Sequence, residues 1–238
     1  MIKEAIILAG GMGTRLRSVV SDVPKCMAMV SDKPFIFYLI EFLKKNGIGH
    51  FIFSVGYLHE TIEKYLSSNY KELNYLISLE TEPLGTGGAI KLATTKTSDR
   101  NVLVCNGDTF YNIDINRLSE FHLQKEAGCS LSLKRMEDFD RYGVVELNDD
   151  SSIKSFKEKQ FYKQGLINGG VYALNTEEFL QEPLPEKFSF EKDYLEKKVR
   201  TSNHHIFGIE QNGYFIDIGI PKDYAKAQKE LPAIQNNF

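Results

Sequence analysis

The 238-residue sequence predicts an α/β protein built on a doubly wound, mixed but mostly parallel sheet, and three observations point there. Strand-like apolar runs alternate with amphipathic helical patterns through the first half of the chain. Two of those runs, Ala5 to Leu8 and Val102 to Cys105, are continuously apolar, as strands covered on both faces are. A glycine-rich segment follows the first run directly, and in open α/β sheets ligands sit at the carboxyl ends of the strands, where the strand order reverses.

The elements follow in order. Ala5 to Leu8, Phe51 to Val55, Leu73 to Leu79 and Val102 to Cys105 read as strands. Between them, Phe35 to Lys45 places Phe35, Tyr38, Leu39, Phe42 and Leu43 on one helical face, with Pro34 at the first helical position. Leu58 to Leu66 repeats the pattern, and Gly85 to Leu92 reads as a third helix with a glycine-rich entry. The second half reads differently. A helix near Ile115 to Gln124 precedes strands at Ser130 to Lys134, Gly143 to Leu147 and Ile153 to Lys157, the last two joined by the turn sequence Asn148-Asp149-Asp150-Ser151. A strand at Ile167 to Leu174, a helix at Ser189 to Val199, strands at His205 to Ile209 and Tyr214 to Ile216, and a proline-opened helix at Pro221 to Glu230 complete it. Without a linker, residues 1–231 read as one domain, with a first half (1–110) and a substrate lobe (111–231) on the same sheet. Residues 232–238 read as a frayed tail.

Composition narrows the partners. Hydrophobic residues make up 42% and charged residues 26%, near the globular average. A net charge of −3 provides no electrostatic footprint for nucleic acid or an anionic membrane, so the expected partner is small. Cys26, Cys105 and Cys129 lack metal-ligand spacing and cannot all pair within one chain, and no early apolar run has the length of a signal or a membrane span. The expectation is a cytoplasmic protein. His204-His205 would face opposite sides of a strand, so shared metal coordination is not expected there.

Leu8-Ala9-Gly10-Gly11-Met12-Gly13-Thr14-Arg15-Leu16 suits an anion cradle, because glycines let backbone N–H groups approach phosphate oxygens. The Walker A and dinucleotide patterns both fail here: no Gly-Lys-Ser/Thr follows, and Leu16 stands where the latter needs glycine. Arg15 and, ten residues on, Lys25 supply two cations. On spacing alone, an ordinary glycine turn with solvated cations explains the segment equally well.

LAGGMGTRL followed by Val23-Pro24-Lys25 resembles the signature of the sugar-1-phosphate nucleotidyltransferases, which join a nucleoside triphosphate to a sugar phosphate. Arg17-Ser18-Val19 and Cys26 depart from it where the family usually carries proline. EPLGTGG (Glu82 to Gly88), NGD (Asn106 to Asp108), FKEK (Phe156 to Lys159), NGGVY (Asn168 to Tyr172) and IDIGIPKDY (Ile216 to Tyr224) extend the resemblance from residue 2 to about 230. It implies a Rossmann-like nucleotide-diphospho-sugar transferase fold with a sugar-binding lobe. It also implies catalysis by Arg15, Lys25 and Asp108, and nucleotide contacts from Leu8, Ala9, Gly10, Gly11, Gly13, Thr14, Glu80, Pro83 and Gly87. Asp108 and Asp217 become the ligands of one Mg2+, each a carboxylate closing an apolar run, and Mg2+ takes one or two carboxylates plus water and phosphate oxygens. Glu158 and Lys159 match a pair that binds sugar hydroxyls and sugar phosphate, and Gly143, Asn168 and Gly170 match further sugar contacts.

Base choice follows from Glu80. In the family this position faces the Watson–Crick edge, and users of uracil or thymine commonly carry glutamine there. A carboxylate only accepts hydrogen bonds, and guanine presents two adjacent donors, so GTP is expected. The alternative leaves Glu80 on the strand surface, with Glu82 or backbone atoms reading the base. The compact length, the Glu80 register and the SVVSD and EPLGTGGA wording most resemble family members that use a heptose 1-phosphate for bacterial surface polysaccharides. Mannose 1-phosphate, a uridylyl- or thymidylyltransferase, and a non-catalytic nucleotide-sugar sensor are the rivals. Relatives often associate, so an oligomer is allowed, although no sustained heptad directs one. Asp114, Asp149, Asp150 and Asp223 read as cap or turn residues, and Glu191-Lys192-Asp193 remains without a role.

Overall fold

Residues 1–11, 23–201 and 205–235 are described by the computed structural model. In chain order they form β1 (Glu4–Leu8), a 3-10 turn (Lys25–Met27), the short ribbon β2 (Met29–Val30) and β3 (Lys33–Pro34), α1 (Phe35–Lys45), β4 (His50–Val55), α2 (His59–Asn69), β5 (Tyr75–Leu79), α3 (Gly85–Thr94) and β6 (Asn101–Asn106). There follow β7 (Thr109–Tyr111), α4 (Ile115–Gln124), β8 (Cys129–Phe139), β9 (Val145–Leu147), β10 (Ile153–Phe156), β11 (Tyr162–Asn175) and α5 (Thr176–Gln181). A π-helical turn (Phe190–Glu196) runs into α6 (Lys197–Arg200), and β12 (Ile206–Glu210), β13 (Phe215–Asp217) and α7 (Pro221–Gln235) end the described chain.

Seven strands make the central sheet in the order β12-β8-β11-β6-β1-β4-β5. β6, β1, β4 and β5 are mutually parallel, and β12 is parallel to β8. β11 runs antiparallel to both of its neighbours, so the sheet is mixed and mostly parallel, as expected from the sequence. The order reverses at β1, whose neighbours β4 and β6 lie on opposite sides of it, and the carboxyl ends of all three lie at one edge.

Strand alternation divides the core between two layers. Ala5 and Ile7 of β1, Phe51 and Phe53 of β4, and Leu103 and Cys105 of β6 pack toward α1, α4 and α7. Ile6, Ile52, Val102 and Val104 face the other way, toward α3, α5 and the π-helical turn, where Phe179 meets Phe190 and Tyr194 edge to face. The three cysteines are buried and unpaired.

α1 has the bounds its pattern predicts, and its end is written in Gly47. That residue adopts φ +82°, its N–H donates to the Lys44 carbonyl at 3.0 Å, and the Ile48 N–H reaches Leu43 at 3.1 Å, which together close the helix with a Schellman motif. Pro34 is one residue earlier than expected: it is extended (ψ 150°) and caps the helix that starts at Phe35. The last helix is longer than expected. It passes Glu230 and continues through Pro232 to Gln235, with Leu231 buried and Ile234 packed on the core, so the predicted tail is helical as far as it is described. Asp114 caps α4 by accepting the Arg117 N–H at 2.9 Å, and Asp150 accepts from the Ser152 N–H and hydroxyl in the β9–β10 turn, both as expected.

Candidate active site

At the edge where β1, β4, β5 and β6 end, a cavity of about 760 Å³ opens. Each strand supplies wall residues at its carboxyl end or just beyond it: Leu8, Gly10 and Gly11 from β1; Ser54, Gly56, Tyr57 and His59 from β4; Glu80 to Pro83 from β5; and Asn106 and Asp108 from β6. Of the residues expected to hold a nucleotide, Leu8, Gly10, Gly11, Glu80 and Pro83 line this space. Ala9 and Gly87 do not. Ala9 is buried, with its N–H on the Ser54 carbonyl at 2.7 Å. Gly87 faces Phe188, where any Cβ would strike the ring, so its small size serves the packing of α3. Gly13, Thr14 and Arg15 lie outside the described residues.

Glu80 sits within the cavity wall. Its N–H is fixed by the Val55 carbonyl at 2.8 Å, which directs the residue inward from the end of β5. One carboxylate oxygen accepts the Leu84 N–H at 3.1 Å and the other accepts the Ser54 hydroxyl at 3.4 Å. Gly10 makes room for it: a Cβ there would lie 2.7 Å from Glu80 Oε1. Burial pushes the Glu80 carboxyl above the ordinary glutamate range, partly offset by the Leu84 and Ser54 hydrogen bonds. Glu82 is exposed at the rim. Each carboxylate oxygen keeps a further lone pair with which it could accept from a donor in the cavity.

Asp108 and Asp217 are separated by more than a hundred residues and meet because β7 and β13 pair antiparallel, with Asp217 opposite Thr109. The Ile218 N–H donates to the Asp108 carbonyl at 3.1 Å, which locks the two loops together. The Lys25 ammonium lies between the carboxylates, 2.5 Å from Asp108 Oδ2 and 3.5 Å from Asp217 Oδ1, with only 10% of its side chain exposed. The donor set is therefore two hard oxygens already arranged about one positive charge, and it fits a Mg2+ ion. Asp217 is further held by the Gly219 N–H on Oδ1 at 2.7 Å and by Tyr142 and Arg141 on Oδ2, each at 3.4 Å. Sequence reasoning overlooked Arg141. Its only local signal is adjacency to the Tyr142-Gly143 pair.

Of the residues expected to contact a sugar, Gly170 packs on Asn106, two residues before Asp108, and Gly143 follows Tyr142, which donates to Asp217. Asn168, Gly169 and Gly170 form a bulge in β11: Asn168 pairs with Leu133, yet Tyr172 pairs with Leu131. Gly170 takes φ +72° there, and a Cβ would lie 2.7 Å from the Asn106 amide, so the bulge rests against the loop carrying Asp108. The Asn168 side chain accepts the Gly170 N–H at 3.0 Å and donates to the Tyr172 hydroxyl at 2.8 Å. Its amide is thus occupied in shaping the bulge. A Cβ on Gly143 would lie 2.2 Å from the Lys157 carbonyl oxygen, which brings the Tyr142 loop against the exposed Glu158-Lys159 segment. Glu191, without a role from sequence, accepts from the cavity residue Thr86 at 2.8 Å and from Ser189 at 3.1 Å. His204 lies outside the described residues, and among those described no group of three or more His, Cys, Asp or Glu side chains could hold a metal ion. No described helix is long and apolar enough to cross a membrane.

A family model described as "Nucleotidyl transferase" matches residues 4–233. Over 228 residues the chain is 50% identical to the D-glycero-alpha-D-manno-heptose 1-phosphate guanylyltransferase of Aneurinibacillus thermoaerophilus, covering 96% of this chain and 98% of the relative. A protein of the same name from Campylobacter jejuni is 46% identical over 225 residues, covering 93% and 96%. The crystal structure of HddC from Yersinia pseudotuberculosis complexed with GMP-PN superposes with a TM-score of 0.86 at 36% identity, over 96% of this chain and 99% of that one.

Proposed function

The chain belongs to the nucleotidyl transferase family, and from that premise we propose that it joins GTP to D-glycero-α-D-manno-heptose 1-phosphate, releasing pyrophosphate and forming GDP-heptose. It is a sugar-1-phosphate guanylyltransferase. The observation that carries the base choice is Glu80, a half-buried carboxylate inside the cavity with both oxygens oriented by Ser54 and Leu84. The N1–H and N2 amine of guanine match its acceptors, whereas the acceptor oxygens of uracil or thymine would be repelled. A buried acceptor left unpaired costs on the order of 1–3 kcal/mol, or about ten- to a hundredfold in selection.

A sugar phosphate oxygen attacks the α-phosphorus in line and pyrophosphate leaves. Both reactants are anionic, so the protein's work is alignment and charge neutralisation. In this assignment the backbone of Leu8, Gly10, Gly11, Gly13 and Thr14 follows the triphosphate, and Arg15 and Lys25 offset its charge. Asp108 and Asp217 would hold Mg2+, which would supply neutralisation of phosphate charge. The Lys25 ammonium, now shared by the two carboxylates, is placed to exchange them for phosphate oxygens when the triphosphate enters. Lys159 binds the acceptor phosphate and Glu158 accepts from sugar hydroxyls, with Gly143, Asn168 and Gly170 shaping the sugar side. The same assignment makes the protein cytoplasmic and its product a precursor of surface polysaccharide.

Pyrophosphate release measured over four nucleoside triphosphates and a set of sugar 1-phosphates tests the reading. Turnover is expected with GTP and the heptose phosphate above all other pairs. A preference for mannose 1-phosphate would move the sugar assignment, a preference for UTP or dTTP would remove the role of Glu80, and binding without turnover would leave a sensor.

A further inference from the structure

Arg141 and Asp223 have no contact with substrate in the reading above, yet they complete an alternating chain of charge that runs Asp108, Lys25, Asp217, Arg141, Asp223. One guanidinium nitrogen of Arg141 pairs with Asp223, and the other reaches Asp217 Oδ2 at 3.4 Å. The guanidinium also lies over the Tyr142 ring, 5.3 Å from its centroid, and the Tyr142 hydroxyl donates to the same Asp217 oxygen. Asp223 stands in the first turn of α7, whose Ala227 and Leu231 are fully buried. The far end of the chain is therefore anchored in the core.

We propose that Arg141 and Asp223 are positioning residues for Asp217: together they hold Oδ2 aside, so that Oδ1 faces Lys25 and Asp108. The proposal rests on the reading of Asp108 and Asp217 as the Mg2+ pair. Two features of the geometry support it. Partners on both oxygens stop the carboxylate turning, and supports of this kind around a ligating group commonly matter ten- to a hundredfold for metal affinity. Charge also balances. Asp223 neutralises Arg141, so the guanidinium orients Asp217 without adding net positive charge against an incoming cation. Removing Asp223 alone would free Arg141 to close on Asp217 and compete with the metal, which is worse than removing both.

That order of effects makes the test specific. Mn2+ is titrated by electron paramagnetic resonance against each variant with a non-hydrolysable GTP analogue present, and thermal melting confirms folding. Asp223→Asn is expected to raise the Mn2+ Kd about tenfold or more. Arg141→Ala should raise it by less, the double variant should return to the Arg141→Ala value, and Asp223→Glu should stay near wild type. Unchanged Mn2+ affinity in Asp223→Asn, or additive losses in the double variant, overturns the proposal and leaves the metal pair standing. If Asp223→Asn fails to fold, Arg141→Lys, whose point charge cannot fork between two carboxylates, carries the question with Arg141→Ala: unchanged affinity in both overturns it. Full Mn2+ affinity in Asp217→Ala would instead remove the metal pair, and this proposal with it.

Discussion

At the scale of one residue, the proposed base choice rests on Glu80 and on what surrounds it. Its type and position were legible in the sequence through the spacing to Pro83. Its partners were not: Ser54 comes from β4 and Gly10 from the loop after β1, and only the sheet brings them within reach. Replacing Glu80 by Gln should lower GTP affinity about ten- to a hundredfold, by calorimetry, and raise use of UTP or dTTP. The pH dependence follows from burial. Because the free-state pKa of Glu80 is raised, its carboxylate takes up a proton at higher pH than an ordinary glutamate. GTP affinity should therefore start to fall, on acidification, while ordinary glutamates are still ionised, and Glu80→Gln should be flat over that interval. The same burial disfavours the charged form in the folded protein, so the Gln variant without nucleotide should melt no lower than wild type near neutral pH.

Among the elements, helices and strands with a clean apolar period were read within a few residues, and α1 and α4 have the bounds expected. Elements shaped by tertiary contact were read short. β8 and β11 extend well beyond their apolar stretches because they pair with each other, and the Asn168-Gly169-Gly170 bulge shows why a motif expected to touch sugar also has an architectural purpose. α4 carries a second case. His122 is fully buried on its inner face, between the Ser130 hydroxyl and the Asn101 side chain, each 3.0 Å away. Burial holds its pKa down to about 4. In the unfolded chain it titrates near 6.5, so the unfolded state binds the extra proton first, and stability falls as pH drops from about 6.5 to about 4. The loss by the end of that window is roughly 3 kcal/mol from this residue. Melting curves of wild type against His122→Gln should show the slope in wild type and a flatter profile in the variant, whatever its starting stability.

For the whole molecule, the candidate site depends on chain reversal. Glu80 and Asp108 precede residue 110, the glycines and Glu158-Lys159 follow 140, and Asp217 returns late to the Asp108 loop through the β7–β13 pairing. Asp217→Ala should therefore lower pyrophosphate release by orders of magnitude while the melting transition and metal-free GTP binding persist; near-wild-type release would remove its role. By itself the sequence determined the class of fold and the order of most of its elements, because periodicity is a local property, while β7, α5 and the β2–β3 ribbon escaped it. The residues assigned to a triphosphate and a sugar phosphate follow from the resemblance of its motifs to a family. Only the tertiary structure decided that Lys25 lies between Asp108 and Asp217. It alone decided that Gly87 packs under Phe188, and that Arg141 bridges Asp217 and Asp223, both more than seventy residues further along the chain. Those contacts arise from strand pairing and burial between distant segments, and no local pattern of side chains encodes which distant charge a given carboxylate will meet.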